Sequence, residues 1–139
     1  MPAYTHLSRV AFADTDASGI VYFAHFFRYA QEAEVYALAS LGFTRQELRY
    51  PRVNATADFL KPLRFWDEFR TEAELEHIGS TSLHWKFTII GAEGICAVVR
   101  IVTSRRNPDF SPAPYSEAEK QRLSALQISD SEPAATQKN

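Results

Sequence analysis

Cysteine is all but missing: Cys96 is the only one in the 139 residues, so no internal disulfide can form and a scaffold stapled by bridges is excluded. A lone free cysteine reads as a small buried hydrophobe in a strand. Charge of one sign is missing too. Fifteen Lys and Arg against 17 Asp and Glu leave a formal net charge of −2, and no long basic run supplies the phosphate-neutralising surface that nucleic-acid binding requires. No segment approaches the roughly 18 uninterrupted apolar residues of a membrane span. The opening MPAYTHLSRV lacks the charged region and apolar run of a signal peptide. These absences point to a soluble, cytoplasmic protein. His6, His25, His77 and His84 form no i, i+4 pair or other metal-ligand spacing. There is no G-x-S-x-G elbow, phosphate-cradling glycine loop or dinucleotide fingerprint, so neither metal nor cofactor is expected.

What is present is an ordinary globular composition, 45% apolar and 23% charged, in a length that suits one domain. Residues 4–13 alternate loosely and predict a strand, stopped by the turn chemistry of DTDASG. From Tyr22 to Leu41 the period changes: Phe23, Phe26, Phe27, Ala30, Ala33, Ala37 and Leu41 fall at steps of mostly three and four, predicting a helix that ends at Gly42. Tyr22, Tyr29, Tyr36 and Leu38 widen its apolar face, so it is expected to be enclosed on more than one side. Four strand-like stretches follow, at 53–63, 66–78, 82–90 and 94–104. The second and third are apolar on one face, and the fourth is apolar on both, as a central strand or one facing a second subunit would be. Gly79 and GAEG at 91–94 make the last three an antiparallel meander. Residues 107–115 carry three prolines and read as a linker, and 116–127 as a short polar helix. The expectation is an α+β domain over 1–127, one long helix wrapped by about five curved antiparallel strands, with 128–139 as a disordered tail.

The sharpest chemical feature is Asp14, Thr15, Asp16, set between an apolar strand and the start of an apolar helix. Asp and Ser are favoured helix caps, which is one sufficient reason for the cluster. The other is chemical: one carboxylate points into a cleft as nucleophile or general base, and amides at the helix start hold the oxygen of a polarised carbonyl. Both jobs fit one turn, divided among Asp14, Asp16 and Ser18. His25 reads either as a cleft residue or as a structural histidine, and the aromatic run Tyr22, Phe23, Phe26, Phe27, Tyr29 as core or as pocket. Arg105 and Arg106 suit phosphate, or are solvated strand-end charges.

The stretch RVAFADTDASGIVYFAHFFRYAQEA, with FLKPLRFWDEF and GSTSLHWKFTI, resembles the 4-hydroxybenzoyl-CoA thioesterase family, including its YbgC-type branch, over roughly residues 5–105. The resemblance implies the hot-dog fold and hydrolysis of an acyl-CoA thioester, with no metal or prosthetic group. It implies that Asp16, second Asp of the D-x-D turn, acts on the thioester carbon or on an attacking water, and that Asp14 is structural. Backbone amides within Gly19 to Phe23, that of Phe23 foremost, would meet the thioester oxygen with Tyr22 beside them. It implies homodimers, often paired into homotetramers, with active sites at the subunit interface. Where YbgC-type members carry His after the motif Tyr, this chain has Phe23. The Tyr-Phe-Ala run resembles the branch that hydrolyses 1,4-dihydroxy-2-naphthoyl-CoA. Two readings stand beside hydrolysis: a non-catalytic module that binds acyl-CoA or acyl-carrier protein, and hydration or dehydration of an acyl chain through His25.

Overall fold

The computed structural model describes residues 3–43 and 48–128. Five strands, β1 (Tyr4–Arg9), β2 (Arg52–Phe59), β3 (Glu68–Ile78), β4 (Ser82–Gly91) and β5 (Gly94–Ser104), form one sheet, and two helices, α1 (His25–Ser40) and α2 (Glu117–Leu123), accompany it. The sheet order is β1-β3-β4-β5-β2, every neighbouring pair antiparallel. The meander expected of the last three strands is therefore present, and β5 lies inside the sheet. Most of the expected tail lies outside the described residues; Ile128, its first residue, donates its amide to Leu75.

Alternation decides which face is dry. Phe69, Thr71, Ala73 and Leu75 of β3, Leu83, Trp85, Phe87 and Ile89 of β4, and Ala97, Val99 and Ile101 of β5 are buried, as a period of two requires when one face is covered. The cover is α1. Its Ala30, Ala33 and Ala37 are fully buried, and their small side chains let the helix axis come close to the large ones rising from the sheet. The other side of α1 is open, with Tyr36 52% exposed and Val35 exposed beside it. In a single chain the helix is thus covered on one side, not enclosed on several.

Three element boundaries differ from the pattern reading, each because backbone groups are used elsewhere. β1 ends at Arg9, and a 3₁₀ turn follows over Phe12–Asp14. The Asp14 carboxylate accepts from the Ala11 amide at 3.1 Å, competing with the ladder. α1 begins at His25 rather than Tyr22, since the Val21 and Tyr22 amides go to Leu63 and Asp14 carbonyls instead of opening a helix. β2 stops at Phe59 because the amides of Leu60 and Lys61 both turn to the Cys96 carbonyl. At its other end α1 finishes as expected. Gly42 has φ of +90°, its amide bonds to Ala39 and that of Phe43 to Leu38, a Schellman motif needing a left-handed residue at that point.

Arg105 departs from the phosphate-binding expectation. It is 5% exposed and holds the returning chain: Nε donates to the Ala113 carbonyl at 3.0 Å, Nη2 to Pro114 at 2.8 Å, and Nη1 and Nη2 to Glu119. The guanidinium also lies 4.0 Å from the Tyr115 ring centroid. Four of its five N–H donors are committed to these acceptors and Tyr50 shares a further side-chain hydrogen bond with it, so the buried guanidinium is spent within the fold. The clamp brings Leu123 and Leu126 into the core, with α2 started by a Ser116–Glu119 capping box.

Arg105→Met should cost about 2–4 kcal/mol, because it orphans buried acceptors and one carboxylate, seen as a melting temperature lower by roughly 8–15 °C. Hydrogen bonds from Arg105 push the Glu119 carboxyl down to about 2 from its usual 4.5. A lowered carboxylate stabilises fully above its unfolded pKa, so the gap between wild type and variant should be widest near neutrality and shrink as pH falls from about 4.5 towards 2. Thermal melts of both proteins across that range check the sign.

Candidate active site

The DTDASGI segment closes on itself as a small hairpin. Thr15 bridges to Val21, the Asp16 amide bonds to the Ile20 carbonyl and the Gly19 amide to the Asp16 carbonyl, both at 2.9 Å. Gly19 makes this possible with φ of +83°, a conformation that costs a side-chain-bearing residue about 1 kcal/mol or more. The outgoing arm is pinned from the far side, where Ile20 bridges to Arg64 and the Val21 amide bonds to Leu63.

At the tip, Asp16 Oδ1 accepts from the Ser18 amide at 2.9 Å and from the Ser18 hydroxyl at 2.5 Å. Those donors, the hydroxyl first, hold the Asp16 carboxyl below the usual carboxylate range. Oδ2 accepts nothing among the described residues. Asp14 behaves differently: 6% exposed, it pairs with Arg28 and accepts from the Tyr29 hydroxyl. The two carboxylates of one motif therefore divide into an anchored one and an available one.

Of the amides in the Gly19 to Phe23 stretch, those of Gly19, Val21 and Tyr22 are spent on carbonyls, while those of Ile20 and Phe23 reach no carbonyl among the described residues; the Ile20 amide instead helps to lower the Asp16 carboxyl, which leaves that of Phe23 open. Orphan donors are what a helix start leaves. Phe23 also lines an apolar cavity of about 350 Å³ with Ile20, Val21, Phe26, Phe59 and Leu60. Phe59 meets Phe23 and Phe26 edge-on at 6.0 and 5.5 Å. Asp16 is not part of that lining: its side chain is exposed, on the turn whose Ile20 borders the cavity. The single chain does not form the cleft expected around it. His25 is half-buried, its ring edge-on to Tyr22 at 6.1 Å, and does not line the cavity. Arg106 is half-buried at the sheet end, its backbone paired with Arg49.

Pattern reading gave Ser18 a share in the turn's two jobs without foreseeing its bond to Asp16, and it read Phe59 and Leu60 as strand without placing them at the cavity. A hydroxyl two residues after an aspartate is an available signal for the first. The second follows from β2 pairing beside β5, which no local periodicity encodes.

This fold belongs to a known class. The Thioesterase superfamily profile matches residues 18–98, more than half of the chain, which belongs to that family. The chain is 34% identical over 99 residues to a 1,4-dihydroxy-2-naphthoyl-CoA hydrolase of Thermosynechococcus vestitus, covering 67% of this chain and 68% of that protein. It is 31% identical over 90 residues to the acyl-CoA thioester hydrolase YbgC of Escherichia coli, covering 61% and 67%. A solved gentisyl-coenzyme A thioesterase superposes with a TM-score of 0.79 at 25% identity, covering 86% of this chain and 98% of that one. Thioester hydrolysis is the activity these matches define for the chain.

Ser18→Ala removes the stronger of the two donors to Asp16. If activity needs ionised Asp16, the acid limb of the kcat/KM profile should move to higher pH in the variant, because the carboxyl returns towards its usual range, while the plateau above it changes little. An unmoved acid limb would separate Ser18 from that titration.

Proposed function

We propose that the chain hydrolyses an aromatic or short-to-medium acyl-CoA thioester to free acid and CoA, with Asp16 as nucleophile or general base and the Phe23 amide in the oxyanion hole. The observation that carries the reading is a Ser18-held carboxylate with one oxygen open at the hairpin tip, together with a Phe23 amide that reaches no acceptor one residue past the hairpin's base. In the direct route Asp16 takes a proton from water as the hydroxide oxygen bonds to the carbonyl carbon. The tetrahedral oxyanion accepts from the Phe23 amide, then collapses, breaking the C–S bond and releasing CoA thiolate, which is protonated. In the covalent route Asp16 itself attacks, CoA leaves, and water hydrolyses the resulting anhydride. Both consume one water and need no cofactor.

The 1,4-dihydroxy-2-naphthoyl group is one acyl candidate, supported by the relatives' activity and by the three phenylalanines at the cavity. Arg106 is the remaining candidate of the arginine pair for a CoA phosphate. The catalytic unit is the single domain over residues 1–127, in the cytoplasm, with the sheet curling about α1 in hot-dog fashion.

Because Asp16 is open in a single chain, the reading requires a second copy to cover the turn, in a homodimer or homotetramer. The support is the edge strand β2, unpaired on one side and carrying Val53 at 61% and Phe59 at 48% exposure, an apolar edge of the kind that recruits another strand.

Thiol release from a panel of aryl- and alkyl-CoA esters, run beside Asp16→Asn, tests reaction and residue together. Turnover should fall at least 10³-fold in the variant with the fold intact, since Asn keeps the size but cannot act as base. Near-normal turnover would remove Asp16 from the mechanism, and CoA-ester binding without thiol release by the wild type would support the binding-module reading instead. Light scattering should give two or four times the chain mass. A fully active monomer would contradict the shared site.

A further inference from the structure

Asp14 joins more of the molecule than a turn-former needs to. Its Oδ1 is ion-paired with Arg28, and its Oδ2 accepts from the Tyr29 hydroxyl at 2.8 Å and from the Ala11 amide at 3.1 Å. Its carbonyl accepts the Tyr22 amide at 2.9 Å. Tyr29 is fully enclosed, its ring against Phe69 at 4.5 Å and Phe26 at 5.9 Å. Arg28 is steered by a second carboxylate, Glu32, at 2.8 Å and sits 5.1 Å over the Tyr29 ring.

Burying a carboxylate against a phenol, with only a part-exposed guanidinium to answer its charge, is a poor way to gain stability, since apolar side chains of the same volume commonly do as well or better. What the arrangement does supply is a fixed geometry. Asp16 follows Asp14 by two residues, and Phe23 follows Tyr22 by one. The Asp14–Tyr22 bond is therefore the base of the hairpin whose tip bears the carboxylate and whose outgoing arm bears the open amide. The Asp14 side chain ties that base to α1, through Arg28 and Tyr29, and to the incoming chain, through Ala11.

We propose that Arg28 and Tyr29, acting through Asp14, are positioning residues that hold the Asp16 carboxylate and the Phe23 amide at the separation the thioester carbonyl requires. The proposal rests on the assignment of those two groups to the reaction. Neither Arg28 nor Tyr29 touches substrate. Their loss should appear in kcat, where misplacement of reacting groups is felt, and hardly in KM.

Tyr29→Phe keeps the ring and deletes one hydrogen bond. It should lower kcat about tenfold with KM within about twofold of wild type. Arg28→Met should do the same, and Arg28→Lys should restore part of the loss, because the charge returns without the planar fork. Adding Tyr29→Phe to Asp16→Asn should cause no further loss, since a positioning residue has nothing left to position. Tyr29→Phe and Arg28→Met kcat values within twofold of wild type would overturn the proposal while leaving Asp16 in place. So would a loss that tracks the unfolded fraction by circular dichroism, or one that multiplies in the double variant. If Tyr29→Phe does not fold, the Arg28→Met and Arg28→Lys pair, on a side chain 42% exposed, decides the matter. Normal turnover by Asp16→Asn would overturn both readings, a result distinguishable from the others.

Discussion

The fit of α1 onto the dry face of the sheet is the constraint on which everything else rests. Ala30, Ala33 and Ala37 present almost no bulk, so the large side chains of β3 and β4 can fill the gap, and a close-packed interior tolerates little change of volume at such a seam. The helix is thereby fixed in place along its length, and with it the point where it starts. A site built at a helix start inherits its precision from that packing, not from the loop that precedes it.

The buried carboxylates and the buried guanidinium of this interior are each answered, whereas the Thr71 and Thr103 hydroxyls, the Trp85 indole N–H and the Tyr115 hydroxyl are buried without a hydrogen-bond partner. Asp14 is met by Arg28, Tyr29 and an amide. Glu34, whose carboxyl burial pushes up, is paired with Arg52 across to β2. Arg105 closes the chain's return. Each of these joins segments distant in sequence, as expected where a buried charge must be compensated by whatever the fold brings near. Asp16 is instead exposed and held through one oxygen by Ser18, an arrangement that Asp109 repeats with Ser111. What distinguishes Asp16 from Asp109 is its place on the turn whose Ile20 borders the apolar cavity.

The relation between solvent and Asp16 also carries a lesson about assembly. A carboxylate in open water is well hydrated and reacts poorly with a thioester, because the site lacks the dry, oriented surroundings that give hydrogen bonds to an oxyanion their strength. The apolar edge at β2 and the apolar cavity beneath Phe59 lie next to that same turn. Covering one edge would thus serve both solubility and catalysis.

How far the sequence alone went can be seen element by element. The alternation in β3 and β4, the three-and-four spacing of α1 and the stop at Gly42 were legible because each is a local rule, set by where successive side chains point. The D-x-D segment was legible as a turn, and the resemblance implied that Asp14 is structural, which agrees with its buried, fully bonded carboxylate. Which amide stayed open, which arginine was consumed and which face of α1 was covered were decided only by the tertiary structure. Hydrogen-bond donors such as the Phe23 amide and the Arg105 guanidinium are neither free nor taken until the chain's distant acceptors arrive, and nothing in local spacing says which will.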